Sequence, residues 1–299
     1  VVIASVQGLV MGFDGPVRSS YFPLLIERKH MTSAVVLGTV MWQFSRLVTP
    51  IMGGFIIRYG GTEAVFFVGV LGWASMLLVM ISLKVSSLPV DKSRNVMGDI
   101  AEGVRFIRSR RDFVLLIGLT YATHFFGMQY LQLMPFFAKR FEKEADGYGI
   151  MLSALGLGAL TGTVVVGRIR SKSNIGYIML GGSMIFAVAV IAFAFARSFY
   201  VAIGFLFIGG LANTIFFVVA MTVLQLRVPE HMRGRVMGIY TITFSFIPLG
   251  GAMGGVIARI YDERIAVALG AVILASIFLL VGITQPVIRN LSGTNLEKV

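Results

Sequence analysis

Long apolar runs alternate with short polar connectors along this chain. Near-continuous hydrophobic stretches occupy residues 1–17, 34–57, 65–84, 112–138, 148–167, 174–196, 199–224, 236–258 and 265–288. About 20 apolar residues in a helix cross a hydrocarbon core about 30 Å thick, and all but the first stretch reach that length. The strict alternation of a membrane β-barrel is absent from the sequence. The pattern predicts an all-α polytopic membrane protein with nine apolar helices.

The longest connector, 85–111, breaks the pattern. Asp91, Lys92, Arg94, Asp99 and Glu102 interrupt it, so it does not span. Within it Val96, Ile100, Val104 and Ile107 recur at helical spacing opposite charged positions, which predicts an amphipathic helix in the cytoplasmic interface. A solvated, charged linker with some helical tendency is the alternative.

Composition agrees with the pattern. Of 299 residues 57% are hydrophobic and 13% charged, about half the charge of a soluble domain. The absence of cysteine excludes a disulfide framework and a thiolate metal site, and three scattered histidines leave no metal-ligand spacing. The net charge of +12 sits in connectors rather than in a basic domain, so it points to membrane orientation and away from nucleic acid. Assigning connectors alternately to two sides places eighteen Lys and Arg in 18–33, 84–111, 168–173, 225–235 and the tail, against seven on the other side. The richer side is expected in the cytoplasm, together with the C-terminus. Arg46 is left over, inside a stretch.

The chain also repeats. Displaced by 201 positions, Leu25 matches Leu226, His30-Met31 matches His231-Met232, Gly53-Gly54 matches Gly254-Gly255, Arg58 matches Arg259 and Gly69 matches Gly270. Paired glycines and a paired His-Met at equivalent topological places predict a duplicated transporter fold. In that frame three spanning stretches precede 199–224 in the second half, so three further helices are expected before Val1, about 90 residues of a twelve-helix protein.

The segment Leu224-Gln225-x-x-Val228-Pro229-x-x-x-Arg233-Gly234-Arg235-Val236-Met237, followed by Tyr240, resembles the connector between helices ten and eleven in the major facilitator superfamily. Its enterobactin-exporter-like and macrolide-efflux-like branch is the nearest resemblance. Phe13-Asp14-x-Pro16-x-Arg18 and Asp99-Ile100-x-Glu102-Gly103 with Phe106-Ile107-Arg108 agree with it. The resemblance implies two six-helix bundles rocking about a central cavity, with helices four to twelve of twelve in this chain. Residues 1–84 are then the last three helices of the N-terminal bundle, 85–111 the cytoplasmic linker, 112–288 the C-terminal bundle and 289–299 a cytoplasmic tail. Gly38, Ser45, Thr49, Pro50, Gly53 and Gly54 are similar to the Gly-Pro-x-x-Gly-Gly series of drug-proton antiporters, with two glycines replaced. Gly162-x-x-x-x-Gly167-Arg168-Ile169-Arg170-Ser171-Lys172 resembles the second copy of the superfamily's loop signature without its acidic residue. Its basic side chains, with Pro229, Arg233, Gly234 and Arg235, are candidates for cytoplasmic gating or plain anchoring.

Ionisable groups inside a membrane are costly and are functional candidates for that reason. Arg46 lies about twelve residues into its stretch and is the first candidate for binding an anionic substrate or a carboxylate. An ion pair is its structural alternative. Asp14 stands four residues before Arg18, so an i,i+4 pair competes with a role in proton coupling. In the second half His124, Gln129, Tyr130 and Gln132 share one helix, and Asn213 and Tyr240 lie on others. His124 offers a proton shuttle or a hydrogen-bonded packing group. Phe125, Phe126, Met128, Phe216, Phe217 and Phe244 offer an adaptable apolar surface or ordinary packing.

No intramembrane catalytic set and no GxxxxGK[ST] loop is visible, so an enzyme and an ATP-driven pump are disfavoured. The expectation is a proton-coupled exporter of small amphiphilic molecules, without cofactor or metal, monomeric, in the bacterial inner membrane with lipid as its surroundings. A proton-symporting importer of the same fold, or an inactive fragment, are the alternatives.

Overall fold

The computed structural model describes residues 31–82, 96–143, 145–168 and 174–291. All regular elements among them are helical. Helix α1 (Met31–Ser82) is broken at Gly61, whose φ of 75° lies in the left-handed region that glycine alone enters cheaply. The break separates two helical segments that correspond to the predicted stretches 34–57 and 65–84. Helix α2 (Val96–Ser109) is the linker helix. Next come α3 (Arg111–Ala122), a π-helical turn at Thr123–Gly127 and α4 (Gln129–Arg140), which together form one interrupted span. Helices α5 (Ala145–Gly167), α6 (Ile175–Ala194) and α7 (Phe199–Arg227) come after these. Then α8 (Glu230–Ile242), a 3-10 turn at Thr243–Ser245 and α9 (Phe246–Ile260) form a second interrupted span. Helix α10 (Glu263–Thr284) and the short α11 (Pro286–Arg289) complete the order. Among the described residues seven helical stretches are long and apolar enough to cross a membrane, one of them running through the break at Gly61. The predicted stretch 1–17 lies outside the described residues.

Small residues determine where these helices cross. On α5, Gly158 abuts the carbonyl of Phe207 and Gly162 that of Leu211, while Gly210 on α7 abuts the carbonyl of Leu155. A Cβ at Gly162 would stand 2.6 Å from the Leu211 oxygen, so glycine is what lets the two backbones touch. Around this crossing pack Phe186, Phe193, Phe216 and Phe278, all buried, with Phe216 edge-on to Phe278 at 5.2 Å. The outward faces are apolar too: Phe66, Phe67, Leu78, Val188 and Leu280 are exposed, as a lipid-facing belt requires.

The ion pairs sort by side. Arg227 binds Asp112 at 2.9 Å, and Arg235 binds Asp99 at 2.6 Å and Glu102 at 2.9 Å. All of these residues flank connectors assigned to the basic side. Arg58 pairs with Asp146, and Arg140 pairs with Glu263 at 3.0 Å, all at the opposite side. Each pair joins groups that the alternating topology puts on one face. Helix α2 meets α8 at Gly103, where a Cβ would stand 2.9 Å from Ile239 Cδ1, and Ile107 of α2 is buried. Ile100 and Val104, expected on the same apolar face, stay exposed.

Candidate functional site

Both interrupted spans break where they face one another. The π turn at Thr123–Gly127 adds a residue to one helical turn and shifts the helical phase of α4 relative to α3. Gly127 sits tightly there, since a Cβ would come within 2.7 Å of Leu274 Cδ2 and 2.9 Å of Phe186 Cε1. The 3-10 turn at Thr243–Ser245 lies across from it, and His124 fills the space between. Its ring stacks on Phe217 at 4.8 Å and lies 4.6 Å from Phe244. The side chain is 1% exposed, and the ring is hydrogen-bonded with the backbone at Thr243.

Beside His124 opens a cavity of about 490 Å³. Its walls come from the π turn, α4, α5, α7, α8 and the 3-10 turn, and include Met128, Leu155, Phe217 and Phe244. Its polar lining includes Asn213, Tyr240 and Thr241, and none of its described lining residues is Asp, Glu, Lys or Arg. The Asn213 Oδ1 is buried without a partner among the described residues, whereas the Tyr240 hydroxyl is hydrogen-bonded with Thr120. At 1.5 Å per residue His124 stands about 20 Å from Arg111 and Asn213 about 21 Å from Arg227. Both are therefore well inside a core about 30 Å thick. A second space of about 400 Å³ adjoins the first, shares Leu131 and Leu155 with it, and is bounded by Ser45, Thr49 and Pro50 of α1. The combined cavity reaches from the second half of the chain to the first.

Of the residues singled out in the sequence, His124, Tyr130, Asn213 and Tyr240 meet at this cavity, with Met128, Phe217 and Phe244. Gln129 points elsewhere. Its Nε2 donates to the Ala266 carbonyl at 2.9 Å, and the amide is wedged between Gly254 and Gly270, so it ties α4 to α9 and α10. Gln132 is exposed, with its stem against Gly251. Phe125 and Phe126 pack edge-to-face on each other at 4.9 Å, and Phe216 belongs to the core. Asp14, Arg170 and the side chain of Arg46 lie outside the described residues.

The motif residues do packing and pairing. The Pro50 carbonyl abuts Gly149, and Gly54 faces Ala145, where a Cβ would stand 2.7 Å from the carbonyl oxygen. Gly53 has open space beside it. With Arg58 bound to Asp146, these contacts close α1 against α5 at the end away from the basic connectors. Gly167 and Gly234 meet nothing within 4 Å, and Arg168 and Arg233 are exposed. Pro229 caps the start of α8, and Arg235 holds the linker helix.

The pair of Asp112 with Arg227 escaped the sequence reading. Asp112 is 6% exposed and is also approached by Arg110 at 3.4 Å. The signal was available, because an aspartate opening one apolar stretch and an arginine closing another fall at the same predicted side. Thr243, in the 3-10 turn, is fully buried with its hydroxyl unpartnered among the described residues.

Comparison with known proteins agrees with this architecture. The enterobactin exporter EntS of Shigella boydii serotype 18 (strain CDC 3083-94 / BS512) is 23% identical over 222 residues, which cover 73% of this chain and 52% of that protein. EntS proteins of Escherichia coli O139:H28 (strain E24377A / ETEC) and O9:H4 (strain HS) match with the same identity and coverage. The chain spans about half the length of the curated relatives it matches. The model of the transmembrane secretion effector family matches residues 1–296. With its interrupted, duplicated helices and intramembrane cavity, the chain belongs to the transmembrane secretion effector family of the major facilitator superfamily.

Proposed function

We propose that this chain is part of a secondary active exporter of small amphiphilic molecules in a bacterial inner membrane, working by alternating access and driven by proton antiport. The observation that carries the reading is the cavity at mid-depth, lined by both halves and flanked by two interrupted spans. Broken helices at a repeat interface are where secondary transporters place their substrates. Close contact of α1 with α5 at Pro50, Gly54 and Arg58 supports a closed outer end. Helices approaching there and separating at the basic end is one of the two arrangements that alternating access needs. Export is the direction named for the EntS relatives, and it comes to this chain by that likeness. The protein acts as a monomer, needs lipid but no cofactor, and performs no chemistry on its substrate.

The test is accumulation of labelled amphiphiles in efflux-deficient cells expressing the full-length protein, with and without a protonophore. Accumulation should fall with the transporter and recover with the protonophore. Arg46→Ala at equal membrane abundance should weaken export of anionic substrates. Accumulation that rises with the transporter would replace this reading with proton-symport import.

A further inference from the structure

We infer that the outward face of α2 is a docking surface for anionic phospholipid, with Arg105 and Arg108 on headgroup phosphates and Met97, Ile100 and Val104 at the boundary of the headgroup and acyl regions. Such a surface is independent of whether the chain transports. Residues 97, 100, 101, 104, 105 and 108 follow one another at the spacing of a single helical face. All six are exposed, Met97 at 75%, Ile100 at 44% and Val104 at 39%. The opposite face is occupied, because Gly103 packs on Ile239 and Arg235, and Ile107 is buried. The acidic residues of α2, Asp99 and Glu102, both bind Arg235. Arginine is thereby the only uncompensated charge on the helix, since Arg105 and Arg108 form no ion pair among the described residues.

This combination selects its occupant. A face turned to water would carry polar residues in place of Met97, Ile100 and Val104. Apolar side chains interleaved with unpaired arginines match a surface that offers anionic oxygens above hydrocarbon. Arginine stems lie along the apolar layer, while their planar heads pair two-pronged with phosphate oxygens. Position agrees with chemistry. Helix α2 ends at Ser109 and the spanning helix α3 starts at Arg111, so Arg108 stands no more than about 11 Å of extended chain from a membrane entry. Arg111 and Arg233, exposed on the same basic side, add to the attraction for an anionic leaflet.

Because the chain has no cysteine, a fluorophore on Ala101→Cys reports on this face alone. The full-length protein is placed in nanodiscs of phosphatidylcholine, part of which is replaced by either phosphatidylglycerol or phosphatidylcholine spin-labelled high on the acyl chain. Half-maximal quenching should need about 20-fold less of the labelled phosphatidylglycerol, at about fivefold for each arginine near an anionic surface. Arg105→Gln and Arg108→Gln should each leave a preference of about fourfold, and the double change should bring the two lipids within about twofold. Arg105→Lys, which keeps the charge, should retain most of the preference. Should Ala101→Cys not fold, Met97→Cys places the label on the same face. Equal quenching by the two lipids, or a preference that the glutamine substitutions leave intact, would overturn the assignment. So would a label that neither lipid quenches, since the face would then be covered by another part of the chain or turned to water.

Discussion

The contact between Asp112 and Arg227 is the sharpest quantitative test of how the basic end is held together. A nitrogen-to-oxygen separation of 2.9 Å corresponds to an attraction of about 6 kcal/mol at an effective dielectric of 20, most of it offset by desolvating both groups. Asp112 is buried, so removing its partner should hurt more than the pair itself contributes. Breaking such pairs costs about 3–5 kcal/mol. Here Arg110 remains at 3.4 Å but is nearly half exposed, so it relieves little, and a loss near 3 kcal/mol is expected for Arg227→Gln. At about 2–4 °C per kcal/mol for a chain of this size, the full-length protein should lose about 6–12 °C in detergent, read by fluorescence-detected size exclusion after heating. Asp112→Asn with Arg227→Gln should recover about half of that loss, because no bare carboxylate is then left. The single and double variants form a cycle with an expected coupling of about 1–3 kcal/mol. Strict additivity of the two losses would refute the pairing.

Other consequences are more local. Arg235→Met should release α2 from α8, so the amides of 96–109 should exchange with deuterium at least about tenfold faster while those of α5 stay unchanged; unaltered exchange would mean that Gly103 and Ile107 suffice to dock it. Gly158→Val puts a branched side chain against the Phe207 carbonyl and should abolish membrane accumulation of folded protein, whereas the same change at Gly204, which has open space, should be tolerated. The chain has no cysteine, so introduced thiols report cleanly. Arg58→Cys with Asp146→Cys should be joined by a bifunctional thiol reagent long enough to replace the arginine side chain, and the joined protein should stop transporting; failure to join would argue against a closed outer end. A thiol at exposed Tyr59 should react with impermeant reagents in intact cells, and one at exposed Met97 only after permeabilisation.

How far the sequence carried the fold depends on its physics. Hydrocarbon thickness fixes the length of a spanning helix, so stretches such as 174–196 and 265–288 anticipated Ile175–Ala194 and Glu263–Thr284 within a few residues. Ends that are polar were harder. The stretch 236–258 begins in the structure near His231, because Pro229 starts a helix that the basic residues after it do not stop. The π and 3-10 turns left no trace in hydropathy, since Thr123–Gly127 reads like any small and aromatic segment; the close packing of Gly127 on Phe186 and Leu274 is tertiary and not visible in the sequence. Candidate chemistry was legible by residue type but not by direction. Gln129 and Tyr130 are neighbours, yet one turns into a glycine slot and the other to the cavity. Helical phase decides this, and the π turn just before them resets the phase.

The glycine pairs show what the internal repeat does and does not preserve. Ungapped displacement equates Gly53 with Gly254 and Gly54 with Gly255. Packing equates them differently: Gly54 and Gly254 are the buried members, while Gly53 and Gly255 face open space. Four residues earlier, Pro50 meets the backbone at Gly149 and Gly250 meets the carbonyl of Phe125. So each half presents a small or kinked residue and, one turn later, a glycine, on one face of a helix that crosses its neighbour closely. The partners differ, however. The first crossing joins α1 to α5, between halves, and is sealed by Arg58 with Asp146; the second joins α9 to the π turn and α4, within one half, and is filled by Gln129. A contact closed by a polar amide in a buried slot has little freedom to open, whereas one whose seal is a surface-accessible ion pair separates at lower cost. The corresponding helix face thus packs within one half in the second copy and between the halves in the first.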